Sequence, residues 1–229
     1  MLGGGLTPLW RTRSYPRAAT DGDGTIFEAR TIAREYLDEF ASLLDRVNLD
    51  EVERFVEHLR VARDADGTVY VAGNGGSAST ASHWANDLGK ATKASSRAFM
   101  RVMCMSDNIS WLTALANDEG YERVFSGQLE NFAGPGDVLV VISAGGNSQN
   151  LIEAVELAGS RGVLTTALLG FDGGKLKDLV DEYIWLPTEP GQYGLVESGH
   201  AVLCDILTTC LMKDLAVPDA LPGLDPAGA

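Results

Sequence analysis

Two short stretches hold residue types that can grip an anion and act on the molecule attached to it. The first is Gly73-Asn74-Gly75-Gly76-Ser77, which follows Val69-Tyr70-Val71 and precedes a run with helical periodicity. A strand–turn–helix junction of this kind exposes backbone N–H groups at a helix N-terminus, where negative charge is favoured. Ser77, Ser79 and Thr80 add hydroxyls at the helix start. The second stretch is Ser143-Ala144-Gly145-Gly146-Asn147-Ser148, after the apolar run 138–142. Its glycines let backbone come close to a ligand, and Ser143 and Ser148 can donate to phosphate oxygens. Alone, it also reads as a helix cap at Asn147. Two such turns in one chain point to a phosphorylated small molecule held between them. The candidate contacts are Asn74, Gly75, Gly76 and Ser77 on one side and Ser143, Ala144, Gly145, Asn147 and Ser148 on the other.

The pattern Gly73-x-Gly75-x-x-Ala78 also resembles a dinucleotide fingerprint, but that motif needs an acidic residue about 20 residues on for the ribose. None lies between Leu88 and Met105, so a single phosphate suits the turn better. His83 and Asp87 stand four apart and share a helix face beside the first turn. Near the C-terminus, Glu197, His200, Cys204 and Asp205 lie on one apolar helical segment. His200 reads either as a core histidine or as a site residue, and Cys204 as core filler. His58 has no partner signal and reads as solvent-facing.

The elements that would position these residues alternate. After two helical stretches at 26–47 and 50–63, strands are predicted at 68–73, 98–103, 137–143, 163–169 and 182–187. Helices are predicted at 78–90, 108–116, 120–132, 147–160, 174–180 and 194–214. Continuous apolar strands such as 138–142 imply burial on both faces, and the alternation implies an α/β fold, a parallel sheet with helices on both sides. Residues 1–24 read as a flexible arm, 25–215 as the globular domain, and 216–229 as a loose tail.

The 229 residues and 45% hydrophobic content suit one α/β domain, and the net charge of −14 argues against a nucleic-acid partner. Cys104, Cys204 and Cys210 form no CxxC pair and read as reduced thiols, which points to the cytoplasm. No uninterrupted run of 18 apolar residues suggests a membrane span, and the N-terminus lacks the pattern of a signal peptide.

The two turns, with His83, Ala116-Asn117-Asp118, Gly136-Asp137-Val138-Leu139 and Gly170-x-Asp172-Gly173-Gly174, resemble the SIS (sugar isomerase) phosphosugar-binding domain, most closely its phosphoheptose isomerase branch. The resemblance covers about residues 27–214. It implies a five-stranded parallel sheet, a homotetramer with sites at subunit interfaces, and conversion of sedoheptulose 7-phosphate into a heptopyranose 7-phosphate through an enediol. It implies a divalent metal, zinc in many members, on His83, Asp87, Glu197 and Asp205. Asp87 falls on the family's glutamate base and Asp205 on its second catalytic group, a histidine. Glu197 falls on a glutamine, and Asp118 on an aspartate that seats the sugar. Asp87 is one methylene short, and an unperturbed aspartate stays ionised where histidine titrates. The set is oxygen-rich for zinc and also suits a harder ion. A one-turn shift of the last helix would bring His200 or Cys204 into the site instead. These departures leave two alternatives to isomerisation of the heptulose phosphate: a non-catalytic phosphosugar sensor or assembly protein, and an isomerase of another sugar phosphate. Ala144 and Gly145, which replace hydroxyl residues usual in the second turn, motivate the latter. The Gly170–Gly174 turn is expected to shape the sheet edge.

Overall fold

The computed structural model describes residues 24–92 and 99–216. The arm expected before 25 and the tail expected after 215 lie almost wholly outside the described residues. The chain divides into two compact units, 1–42 and 43–229. In the first, helix α1 (Gly24–Leu44) is the described element and runs into the start of the second.

The second unit is built on five strands: β1 (Thr68–Gly73), β2 (Arg101–Cys104), β3 (Val138–Ser143), β4 (Leu164–Leu169) and β5 (Glu182–Trp185). All pair in parallel, in the order β2-β1-β3-β4-β5. Strand β3 is buried along its whole length, whereas β2 at one edge is largely open. A strand flanked on both sides within a parallel sheet reads as an unbroken apolar run, and Val138 to Ile142 is that run.

Helices α2 (Leu49–Asp64), α3 (Gly76–Ala91) and α8 (Tyr193–Ala216) pack together on one face. On the other lie α4 (Ile109–Asp118), α5 (Ser126–Phe132), α6 (Gln149–Ser160) and α7 (Leu176–Leu179). Tyr70, Ala72, Leu139, Val141, Ala167 and Leu169 point to the second face and meet Leu115, Phe125, Leu129, Leu151 and Val155. This is the three-layer α/β architecture expected from the strand–helix alternation. The window Tyr193–Asp214 of α8 has a mean hydropathy of 1.3, long and apolar enough to cross a membrane by length and composition. Half of it is buried in this fold, as befits a core helix packed on α2 and α3.

Two helices differ from expectation. The stretch 120–132 breaks into a 3-10 turn, Tyr121–Arg123, and the short α5. The break lets the consecutive residues Val124 and Phe125 both enter the core. The helix expected over 174–180 shortens to α7, because Gly173 and Gly174 adopt positive φ and stay in the preceding turn.

Candidate phosphosugar site

Strand β1 leads into a turn that opens α3, and β3 into a turn that opens α6. The sheet order reverses direction between β1 and β3, the place where open α/β sheets bind their ligands. Gly75, the residue before α3, has φ +55, a conformation glycine tolerates and other residues rarely adopt. The Ser106 hydroxyl donates to the Gly73 carbonyl at 3.0 Å and pins the turn to the end of β2. In the second turn, Gly146 N donates to Ser143 Oγ at 3.0 Å. Ser148, not Asn147, caps α6, and its side chain makes no capping bond. Leu151 N and Ile152 N donate to the Ser148 carbonyl at 3.0 and 3.1 Å, which leaves the Ser148 hydroxyl and the Gln149 and Asn150 backbone amides for a ligand.

The two turns meet in one cavity of about 590 Å³. Asn74 and Ser77 line it from the first turn, and Ser143, Ala144, Gly145, Asn147 and Ser148 from the second. Gly75 and Gly76 belong to the first turn but do not line the cavity. Glu197 enters from α8, half-buried, with its carboxylate against the backbone of Gly76, so that a Cβ at Gly76 would overlap it. Among the described residues no lysine or arginine lines this cavity, which leaves backbone amides and hydroxyls to hold an anion here.

Several contributors were not foreseen. Phe171 and Asp172 line the cavity from the turn after β4. That turn does not shape the sheet edge, since β4 lies between β3 and β5. It buttresses the second cradle instead. Lys175 N donates to Asn147 Oδ1 at 3.1 Å, Asn147 Nδ2 donates to the Gly145 carbonyl at 2.8 Å, and Leu176 N donates to the Gly146 carbonyl at 3.0 Å. The Asn147 amide thus ties two loops together. Tyr193, edge-on to Phe171 with ring centroids 5.2 Å apart, extends the same wall.

Asn150 is the other omission. It is 2% exposed, and its amide pairs with that of Asn74 in both directions at 2.9 Å. Tyr121 Oη also donates to Asn74 Oδ1 at 2.9 Å. The three bonds fix Asn74 and leave one of its Nδ2 hydrogens free to face a ligand. Asn74 and Ser148 also border an adjoining groove of about 690 Å³, which continues past Tyr121, Glu122 and Glu153. Two residues past Ser148, Asn150 falls on nearly the opposite side of the helix, so no local spacing marked it, and its partner could not be read from the sequence.

The remaining candidates lie apart from the cavity. His83 Nε2 sits 3.1 Å from Asp87 Oδ2 on the outer part of α3, with 68% of the His83 side chain exposed. Asp205 is exposed on α8. Burial first, then the nearby carboxylates of Asp205 and Asp87, push the Cys204 thiol far up from its ordinary range. Asp87 and Asp205 therefore share the α3–α8 seam around Cys204. Asp118 is exposed at the end of α4, its Oδ1 accepting from Asn117 Nδ2 at 2.7 Å. His200 is fully buried, and neither ring nitrogen finds a hydrogen-bond partner. Burial pulls it down to about 4, opposed weakly by the Leu169 backbone. His200 is thus a core histidine. His58 is half-buried on α2.

The four ligands expected for a divalent metal are divided between the cavity wall (Glu197) and the outer α3–α8 surface (His83, Asp87, Asp205). Among the described residues, no three His, Cys, Asp or Glu side chains come together in a way that could hold a metal ion. The set does not fit a metal within one protomer.

Residues 35–170 match the SIS domain family. A phosphoheptose isomerase of Helicobacter pylori is 35% identical over 194 residues, spanning 85% of this chain and 97% of that protein. A lincomycin biosynthesis protein of Streptomyces lincolnensis is 44% identical over 147 residues, but the match spans 61% of this chain and only 54% of that relative. Among solved structures, a phosphoheptose isomerase from Neisseria gonorrhoeae superposes with a TM-score of 0.72 at 29% identity, covering 82% of this chain and 99% of that one. The chain belongs to the SIS domain family, in its phosphoheptose isomerase branch.

Proposed function

We propose that the protein is an aldose–ketose isomerase acting on sedoheptulose 7-phosphate and forming a heptopyranose 7-phosphate. The observation that carries this reading is the joining of both turns in one cavity with a half-buried carboxylate on its wall. The phosphate sits on the α6 side, held by Ser143 Oγ, Ser148 Oγ and the Gln149 and Asn150 backbone amides, with Ser77 Oγ reaching from across the cavity. Glu197 occupies the space against Gly76 at the opposite turn, so the dianion is kept from that end by like charge. This orients the sugar with its phosphate on α6 and its carbonyl end toward Asn74 and Glu197. The free Nδ2 hydrogen of Asn74 donates to the oxygens that gain charge as the enediol forms.

The phosphoheptose isomerases in the comparisons support the heptose substrate. The likeness to a lincomycin biosynthesis protein supports a second substrate reading, a different sugar phosphate. Assembly as a homotetramer and residence in the cytoplasm accompany the main reading. The ligands expected for zinc do not converge within one protomer among the described residues. A sensor that binds without turnover is the reading favoured by the placement of Asp87 and Asp205 outside the cavity.

Incubation with sedoheptulose 7-phosphate, followed by NMR, separates these readings. Appearance of an anomeric aldose proton supports the isomerase. A thermal shift on adding the sugar phosphate, with no new anomeric signal, supports the sensor.

A further inference from the structure

Four carboxylates border the cavity or its adjoining groove. Asp172 is exposed and accepts from Gly174 N at 3.1 Å within its own turn. Glu122 and Glu153 line only the groove. Glu197 differs from all three. It is half-buried, projects from the long core helix α8 and packs against Gly76. Among the described residues its carboxylate has no hydrogen bond or ion pair. A carboxylate on a rigid helix, turned to a ligand cavity and bound to nothing, is free to take a proton.

We propose that Glu197, rather than Asp87, is the base of the isomerisation; this rests on the isomerase reading above. In the open-chain ketose, a Glu197 oxygen removes a proton from C1. The C1–H electron pair becomes the C1=C2 double bond, the C2 carbonyl pair moves onto O2, and O2 takes a proton from water. The enediol then returns its O1 proton to the hydroxide so formed, the O1–H pair forms the C1 carbonyl, and the C1=C2 pair takes up at C2 the proton held by Glu197. One carboxylate carries the proton between adjacent carbons, and no electrons leave the sugar.

The test compares the wild-type protein and Glu197→Gln in D2O with sedoheptulose 7-phosphate. NMR follows aldose formation and deuterium entry at C1, and a thermal shift reports binding. Glu197→Gln is expected to retain the thermal shift while conversion and exchange both fall about 10³-fold. Conversion within tenfold of wild type, or loss of the thermal shift together with turnover, overturns the assignment. If Glu197→Gln fails to fold, Glu197→Asp decides: a fall of about 10-fold or more supports the base, and an unchanged rate overturns it. A wild-type protein that neither converts nor exchanges the sugar fails the isomerase reading itself, a separate outcome from a variant that still turns over.

Discussion

Ser148 caps α6 without a capping bond of its own. Its hydroxyl is therefore available to a phosphate, and a hydrogen bond to a charged group is worth about 1.5–3 kcal/mol. Ser148→Ala is expected to weaken sugar-phosphate binding about tenfold or more by calorimetry, with no loss of Tm, since the helix loses no cap. His200 makes the opposite case, a polar residue that serves the core. Burial lowers it from 6.5 to about 4. Above pH 6.5 both folded and unfolded chains carry it neutral; as pH falls from 6.5 toward 4, only the unfolded chain gains the proton, and stability is lost. The loss is about 3 kcal/mol in all. His200→Leu is expected to remove that part of the pH dependence in urea melts between pH 7.5 and 4.5; an equally steep decline in the variant would contradict the assignment. At this scale the hydroxyl and glycine positions were legible in the sequence, because turn chemistry is local. Whether His200 faced core or ligand was not, because a buried helix face and a site-lining face share one spacing.

At the scale of elements, two joints matter. The first is the close approach of α8 to the start of α3, where Glu197 lies against Gly76. A methyl group there has no room unless the carboxylate moves. Gly76→Ala is expected to lower turnover about tenfold or more by displacing that carboxylate, at little cost in fold, since alanine favours a helix; unchanged turnover would show that this contact positions nothing. The second joint ties α2 to α8. Arg63 is 2% exposed, and it holds Asp64 at 2.8 Å and Asp214 at 3.1 Å. Without Arg63, Asp64 is still exposed to water and Asp214 still has Arg60 at 3.3 Å, so Arg63→Met, which keeps the apolar stem, is expected to cost only about 1 kcal/mol in denaturant unfolding. The strands and most helices were legible from apolar periodicity. The split of 120–132 was not, because Val124 and Phe125 are drawn inward by a core assembled from distant strands. The role of the turn after β4 was missed for a related reason. Its bonds run to Asn147 and Gly146 across the sheet, and no local pattern encodes them.

At the scale of the molecule, the strand order places the ends of β1 and β3 side by side. That adjacency turns two separate glycine-rich turns into one cavity, and it follows from parallel pairing rather than from either turn alone. The order could be anticipated only through family resemblance. The pairing of Asn74 with Asn150, 76 residues apart, could not be anticipated at all. The same topology leaves Asp87 and Asp205 outside the cavity of a single protomer. A crystal structure with sedoheptulose 7-phosphate tests this most directly. The phosphate should lie within about 3.2 Å of Ser143 Oγ and Ser148 Oγ, with the carbonyl end of the sugar at Glu197. A phosphate bound elsewhere, with Ser77 and Ser148 touching no common ligand, would contradict it.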